Sequence, residues 1–275
     1  MNYLAYHFIV LPPQPGSEIL TALIADFKFD TFETTETGFT AYIKEEDNAE
    51  VNLTELIFED FTYTYSIEKI VPTNWNSEWE KNFEPVVIDN LLCIRAPFHP
   101  TNTTVKNEIV IMPKMSFGTG HHQTTRLVCQ YLFNLNFTNK RVLDMGCGTG
   151  VLAILTKQLG ATEILAIDID DWSVENSIEN CATNAANNVI VVKGDIDYLQ
   201  NQLPFDIILA NINKNILKQH LPNYSKKLNI NGTLILSGFF TTDCDELKDI
   251  AQQNNLEYTT QTNDSEWAML VFKKK

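Results

Sequence analysis

With 275 residues, 44% of them hydrophobic and 20% charged, the chain can build full cores in one large domain or two ordinary ones. A formal net charge of −15 counts against a phosphate backbone as partner, and no apolar run approaches the ~18 residues of a membrane-spanning helix. The five cysteines, at 93, 129, 147, 181 and 244, form no CxxC pair, so free thiols are expected and a structural zinc site is not.

The start, "MNYLAYHFIVLPPQPG", lacks a basic region and a small-residue cleavage site, so it reads as a first strand of a cytoplasmic protein. After it, Ser17 can cap a short helix, "EILTALIADF". "TFETTETGFTAYI" reads as two strands around a turn at Thr37 and Gly38. "AEVNLTELIFED" has the spacing of a second helix, and "FTYTYSIEKIV" alternates as a strand. The order βαββαβ predicts a small α+β, ferredoxin-like domain over residues 1–70. That segment holds thirteen acidic residues against three lysines, a charge of −10. Such a surface attracts basic partners, or serves only to keep the protein in solution.

Residues 71–86 predict a helical linker: Trp75, Trp79 and Phe83 fall on one helical face between Pro72 and Pro85. From residue 87 onward, "LLCIRAPF" and "EIVIMPKM" read as strands and "TTRLVCQYLFNL" as a helix. From Lys140 strands and helices alternate: "RVLDMG", "VLAILTKQLG", "EILAIDID", "WSVENSIENCATNAAN", "VIVVKGD", "FDIILANI", "KNILKQHLPNYSKKL", "GTLILSGF" and "DCDELKDIAQQNN". "LEYTTQT" and "WAMLVFKK" close the chain as a hairpin. The pattern predicts a doubly wound, mostly parallel α/β sheet in residues 87–275.

The chemistry-bearing residues fall at successive strand ends. "DMGCGTG", Asp144 to Gly150, sits between a strand and a helix, where Gly146, Gly148 and Gly150 let a ligand approach bare backbone. A dinucleotide fingerprint would need glycine at 151, where the chain has Val151. Asp168 ends the next strand, twenty-two residues after Gly146, and can accept from both hydroxyls of a ribose or cap the next helix, a role that suits Asp170 or Asp171 better. Asp195, ending "KGD", can accept from an adenine amino group or be an ordinary loop carboxylate. Asn211, in "ILANIN", can hold an attacking amine with its lone pair forward, or make a local turn. Upstream, "SFGTGHHQTT" places two glycines, His121 and His122 before Thr124 and Thr125 at a helix start. Neighbouring histidines cannot chelate one metal from a single helix face, so they shape the loop.

Taken together, "DMGCGTG", "AIDID" and "ANI" resemble the class I S-adenosylmethionine-dependent methyltransferases. "SFGTGHHQTT" and "NWNSEWEKNFEP" are similar to the family that methylates the eleventh large-subunit ribosomal protein, L11. The resemblance implies a Rossmann-like class I methyltransferase domain, preceded by the ferredoxin-like domain, and S-adenosyl-L-methionine as cofactor. It implies cofactor contacts at Thr125, Gly146, Asp168 and Asn211; Thr124, Asp144, Gly148, Gly150 and Asp195 are further candidates, and no metal is implied. The implied reaction is methylation of lysine side chains and the N-terminal amine of L11, up to the trimethyl state. An acidic 1–70 segment recognising a basic protein, a monomeric chain, and no nucleic-acid or membrane partner complete the expectation. A nucleic-acid amine methyltransferase would carry Asn-Pro-Pro-aromatic where this chain has "NINK". A cofactor-binding assembly scaffold without turnover is the other alternative.

Overall fold

The computed structural model describes residues 2–53, 56–70, 80 and 82–275. They form two compact units, residues 1–82 and residues 83–275.

The first unit is a four-stranded antiparallel sheet in the order β2-β3-β1-β4, with β1 (Tyr3–Leu11), β2 (Thr31–Thr35), β3 (Gly38–Lys44) and β4 (Thr62–Ile70). That strand order fits the ferredoxin-like domain expected from the βαββαβ pattern. Helix α1 (Pro13–Ile24) seals one face, where Leu20 and Ile24 join Phe8, Val10, Phe39 and Ile43 in a buried core. Three local expectations need correction. Ser17 does not cap α1: Gln14 is extended (φ −122°, ψ 136°), Pro15 opens the regular part, and the buried Ser17 hydroxyl has no partner. Proline at the first helical position loses nothing there, because its missing N–H would have no partner anyway. The β2–β3 turn falls on Glu36 and Thr37, and Gly38 begins β3. The second helix is absent from the described residues, where only a short 3₁₀ turn, Asn48–Glu50, precedes irregular chain at 51–53 and 56–61. Val51, Asn52 and Leu53 offer no run of strong helix formers, and burying Leu53 and Phe61 anchors the segment without one.

Trp75 and Trp79 of the predicted linker helix lie outside the described residues. Phe83 is not helical, and Val86 begins a strand that sequence analysis assigned to the linker. In the second unit β5 (Val86–Ile88), β6 (Leu92–Arg95) and β7 (Asn107–Val110) make a three-stranded sheet.

The main sheet has seven strands in the order β10-β9-β8-β11-β12-β14-β13. These are β8 (Arg141–Met145), β9 (Glu163–Asp168), β10 (Val189–Lys193), β11 (Phe205–Asn211), β12 (Leu228–Phe240), β13 (Leu256–Asp264) and β14 (Trp267–Lys274). β8 to β12 run parallel, and the terminal hairpin adds two antiparallel strands. Side chains alternate between two cores. Val142, Ile164, Ile207 and Ile235 enter the one packed by α2 (Gln123–Leu132) and α3 (Val151–Gln158). Leu143, Leu165, Ile208 and Leu234 enter the other, packed by α5 (Lys214–Lys227) and α6 (Cys244–Gln253). Helix α4 (Asp171–Thr183) follows β9. The strand order reverses between β8 and β11, which opens the ligand-binding crevice of doubly wound sheets at the carboxyl ends of those strands. All five cysteines are free and buried, and no described helix is long and apolar enough to cross a membrane.

Candidate active site

At the carboxyl edge of β8, β9, β10 and β11 lies a cavity of about 670 Å³, within the ~300–1,000 Å³ range of small-molecule sites. Six of the predicted site residues line it: Thr124, Gly146, Gly148, Asp168, Asp195 and Asn211. Thr125, Asp144 and Gly150 do not; they lie buried behind its wall.

The glycine-rich turn is tied to what surrounds it. Gly146 and Cys147 both donate backbone N–H to Ile167 of β9, at 2.8 and 3.0 Å. Gly148 donates to Asp168 Oδ2 at 2.9 Å, and Asp170 N–H donates to Asp168 Oδ1 at 3.1 Å. Two fixed donors thus hold the Asp168 carboxylate at the cavity wall, with lone pairs left over for a ligand. Gly148 has φ +53°, and a Cβ there would lie 2.2 Å from the Phe117 carbonyl oxygen. That close approach explains the upstream string. Phe117 O accepts from Thr149 N at 2.9 Å and Gly118 O accepts from the Thr149 hydroxyl at 2.7 Å, so "SFGTG" is laced onto the turn.

His122 is the N-cap of α2: its Nδ1 accepts from Thr124 N–H at 3.3 Å and lies 2.9 Å from the Thr124 hydroxyl. Burial, helped by the Arg126 charge, holds its pKa below the ordinary value. The ring is therefore neutral, with its proton on Nε2. His121 turns elsewhere, with Nε2 2.9 Å from the Glu84 carbonyl. No group of three or more metal-ligating side chains occurs among the described residues.

Asp195 caps a 3₁₀ turn, accepting from Asp197 N–H at 2.9 Å, and still borders the cavity. Asn211 lies beside Ser237 in register, and its Oδ1 is buried without a partner among the described residues. A buried amide oxygen left unpaired costs about 1–3 kcal/mol. Asn211 itself borders the cavity, which makes its amide a candidate to meet a ligand's donor.

Asp144 accepts from Ala153 N–H at 3.0 Å through Oδ2, while Oδ1 has no partner. Burial pushes its pKa from 3.8 up to about 7. A carboxyl whose folded pKa is raised stabilises the fold fully below its unfolded value and loses that contribution as pH climbs through the folded one. The wild type should therefore lose melting temperature between about pH 4 and 7 relative to Asp144→Asn, which keeps the acceptor for Ala153. Parallel melting curves across that range would show that burial does not raise the Asp144 pKa.

Three features escaped sequence analysis. Trp267 reaches the cavity because β14 runs antiparallel, so its first residue pairs with Phe240 at the carboxyl edge of β12. Its ring lies 4.5 Å from His122 and 4.4 Å from Phe240. His220 lines the cavity from α5, one helical turn past Ile216; the spacing of Ile212, Ile216 and His220 was the available signal. Asn176, Asn180 and Asn184 form a stripe along α4. Asn184 exchanges hydrogen bonds with the Val110 backbone at 2.8 and 2.7 Å; Asn180 accepts from Met112 N–H and donates to Thr149 O, both at 2.9 Å.

The sheet order and the cavity at its switch point define a Rossmann-like α/β domain with a ligand crevice. A methyltransferase from Pyrococcus furiosus shares the fold over 60% of this chain and 89% of its own, at 16% identity and a TM-score of 0.51. The sequence then gives the family. The model for ribosomal protein L11 methyltransferase (PrmA) matches residues 21–275. The chain is 41% identical to the ribosomal protein L11 methyltransferase of Porphyromonas gingivalis, over 99% of this chain and 98% of that protein. It is 34% identical to that of Chlorobaculum tepidum, over 94% and 92%. A solved ribosomal protein L11 methylase from Lactobacillus delbrueckii subsp. bulgaricus aligns with 70% of this chain and all of its own, at 26% identity and a TM-score of 0.65. This chain belongs to the ribosomal protein L11 methyltransferase family.

Proposed function

We propose that the protein transfers methyl groups from S-adenosyl-L-methionine to amines of ribosomal protein L11, namely lysine side chains and the N-terminal amine, up to the trimethyl state. The observation that carries this reading is Asn211 at the cavity wall, with an amide oxygen that has no partner among the described residues. The cavity suits the cofactor. Asp168 faces it with spare lone pairs for a ribose, Asp195 offers an acceptor beyond, and Thr124 with the start of α2 borders the other side. Gly146 and Gly148 line the cavity without side chains, and Cys147 between them is buried and does not line it.

When bound, the cofactor supplies a methyl group already activated by a sulfonium. The protein has to align, desolvate and orient the amine. A neutral amine donating N–H to Asn211 Oδ1 keeps its lone pair directed away from the acceptor, toward the methyl. Lysine, with a reference pKa of ~10.4, must enter that site deprotonated. Burial beside Trp267, Phe117 and the neutral His122 disfavours its charged form.

Residues 1–70, with their charge of −10, fit the role of recognising a basic protein substrate. The two units have separate buried cores, so the second can be tested alone. With labelled cofactor and unmethylated L11, intact masses should rise in steps of one methyl for the full chain. Residues 83–275 alone should bind S-adenosyl-L-homocysteine normally and leave L11 unmodified. Full turnover by the truncated chain would refute the recognition role; methyl transfer to ribosomal RNA but not to L11 would refute the substrate.

A further inference from the structure

Methyl transfer assigns no task to His220, a polar side chain of the cavity wall. His220 lies on α5 one turn past Ile216, and both border the same cavity as Gly194 and Asp195. Its Nδ1 is 3.2 Å from the hydroxyl of Tyr224, one further turn along. Tyr224 is fully buried, and among the described residues His220 is the only partner of that hydroxyl. A buried hydroxyl that donates to nothing costs about 1–3 kcal/mol, so Tyr224 donates and Nδ1 accepts. Burial holds His220 below the ordinary histidine range, against an upward pull from Asp195 and Asp197, and the ring stays neutral. A neutral imidazole with an accepting Nδ1 carries its hydrogen on Nε2. Asp195 has the opposite polarity: it is acceptor-only, with Oδ1 fixed by Asp197 N–H. Where β10 and α5 meet the cavity, the protein therefore presents one donor and one acceptor.

We infer that His220 is a second determinant of the nucleobase: its Nε2–H donates to the ring nitrogen of adenine that lies beside the exocyclic amine facing Asp195. Adenine offers that donor–acceptor pair; hypoxanthine offers the reverse, a carbonyl beside a ring N–H. Tyr224 is the positioning residue that sets the imidazole tautomer. The inference rests on S-adenosyl-L-methionine being the cofactor and goes beyond it to a residue outside every motif in the sequence.

The test is calorimetric titration of the full chain with S-adenosyl-L-homocysteine and S-inosyl-L-homocysteine. Two mismatched hydrogen bonds, each worth about tenfold, should make the wild type prefer the adenine compound by ~100-fold. His220→Leu should lose about tenfold of that preference, chiefly through weaker adenine binding, and His220→Gln, which keeps a donor, should recover part of it. Tyr224→Phe should also lower the ratio, because the ring can then put its proton on Nδ1. Melting curves identify any variant that fails to fold; the remaining variants carry the test. An unchanged ratio in the folded His220 variants, or equal binding of both compounds by the wild type, would overturn the selection. If the wild type bound neither compound, the cofactor assignment itself would fall, a result distinguishable from loss of selectivity.

Discussion

Asn211→Ala should lower kcat by ~100–1,000-fold, the scale seen when one preorganised polar group is removed from a reacting centre, while the Kd for S-adenosyl-L-homocysteine stays close to wild type. The amide stands at the end of β11, in register with Ser237, and its Oδ1 is buried without a partner among the described residues. If that oxygen serves the amine, its loss costs transfer and spares cofactor affinity. If it serves the cofactor, Kd rises by the same factor instead. Asn211→Asp should be nearly as damaging for a different reason. A carboxylate in that place would pair with an ammonium and hold the substrate in its protonated, non-nucleophilic form. Single-turnover methyl transfer alongside titration calorimetry separates these outcomes, and wild-type turnover by Asn211→Ala would remove the amide from the chemistry.

Gly148→Ala should abolish measurable cofactor binding and cost about 3 kcal/mol of stability, near the upper end for single substitutions. The added Cβ would stand 2.2 Å from a backbone oxygen, that of Phe117, at a φ of +53° which alanine adopts only under strain. Relief requires the 116–120 segment to move, and with it the bonds from Thr149 to Phe117 and Gly118. It also disturbs the Gly148 N–H that fixes Asp168. Chemical denaturation and calorimetry measure the two effects independently. Wild-type affinity in a folded Gly148→Ala protein would mean that the turn and the upstream segment are not coupled.

The parallel sheet was legible because buried strands such as "RVLDMG" and "FDIILANI" announce themselves and their helices alternate regularly. Asp168 and Asn211 were legible for the same reason: a residue that ends a parallel strand is carried to the carboxyl edge. Trp267 was not, because only pairing between β12 and β14 brings an antiparallel strand's first residue to that edge. His220 was hidden by its setting, one polar residue in a helix whose register against the sheet is a tertiary property. The second helix of the first unit was misread because spacing alone suggested it, while burial of Leu53 and Phe61 holds that segment without helical pairing. The asparagine stripe of α4 gave no signal in the sequence, where Asn176, Asn180 and Asn184 are simply polar residues at helical spacing. It is largely buried and takes the place of a neighbouring strand for Val110 and Met112.

A crystal structure of the protein soaked with S-adenosyl-L-homocysteine tests the account most directly. The ligand should occupy the crevice between β8 and β11, with its ribose hydroxyls hydrogen-bonded to Asp168 and its sulfur facing Asn211. Density for the ligand outside that crevice, or a ribose turned away from Asp168, would contradict it.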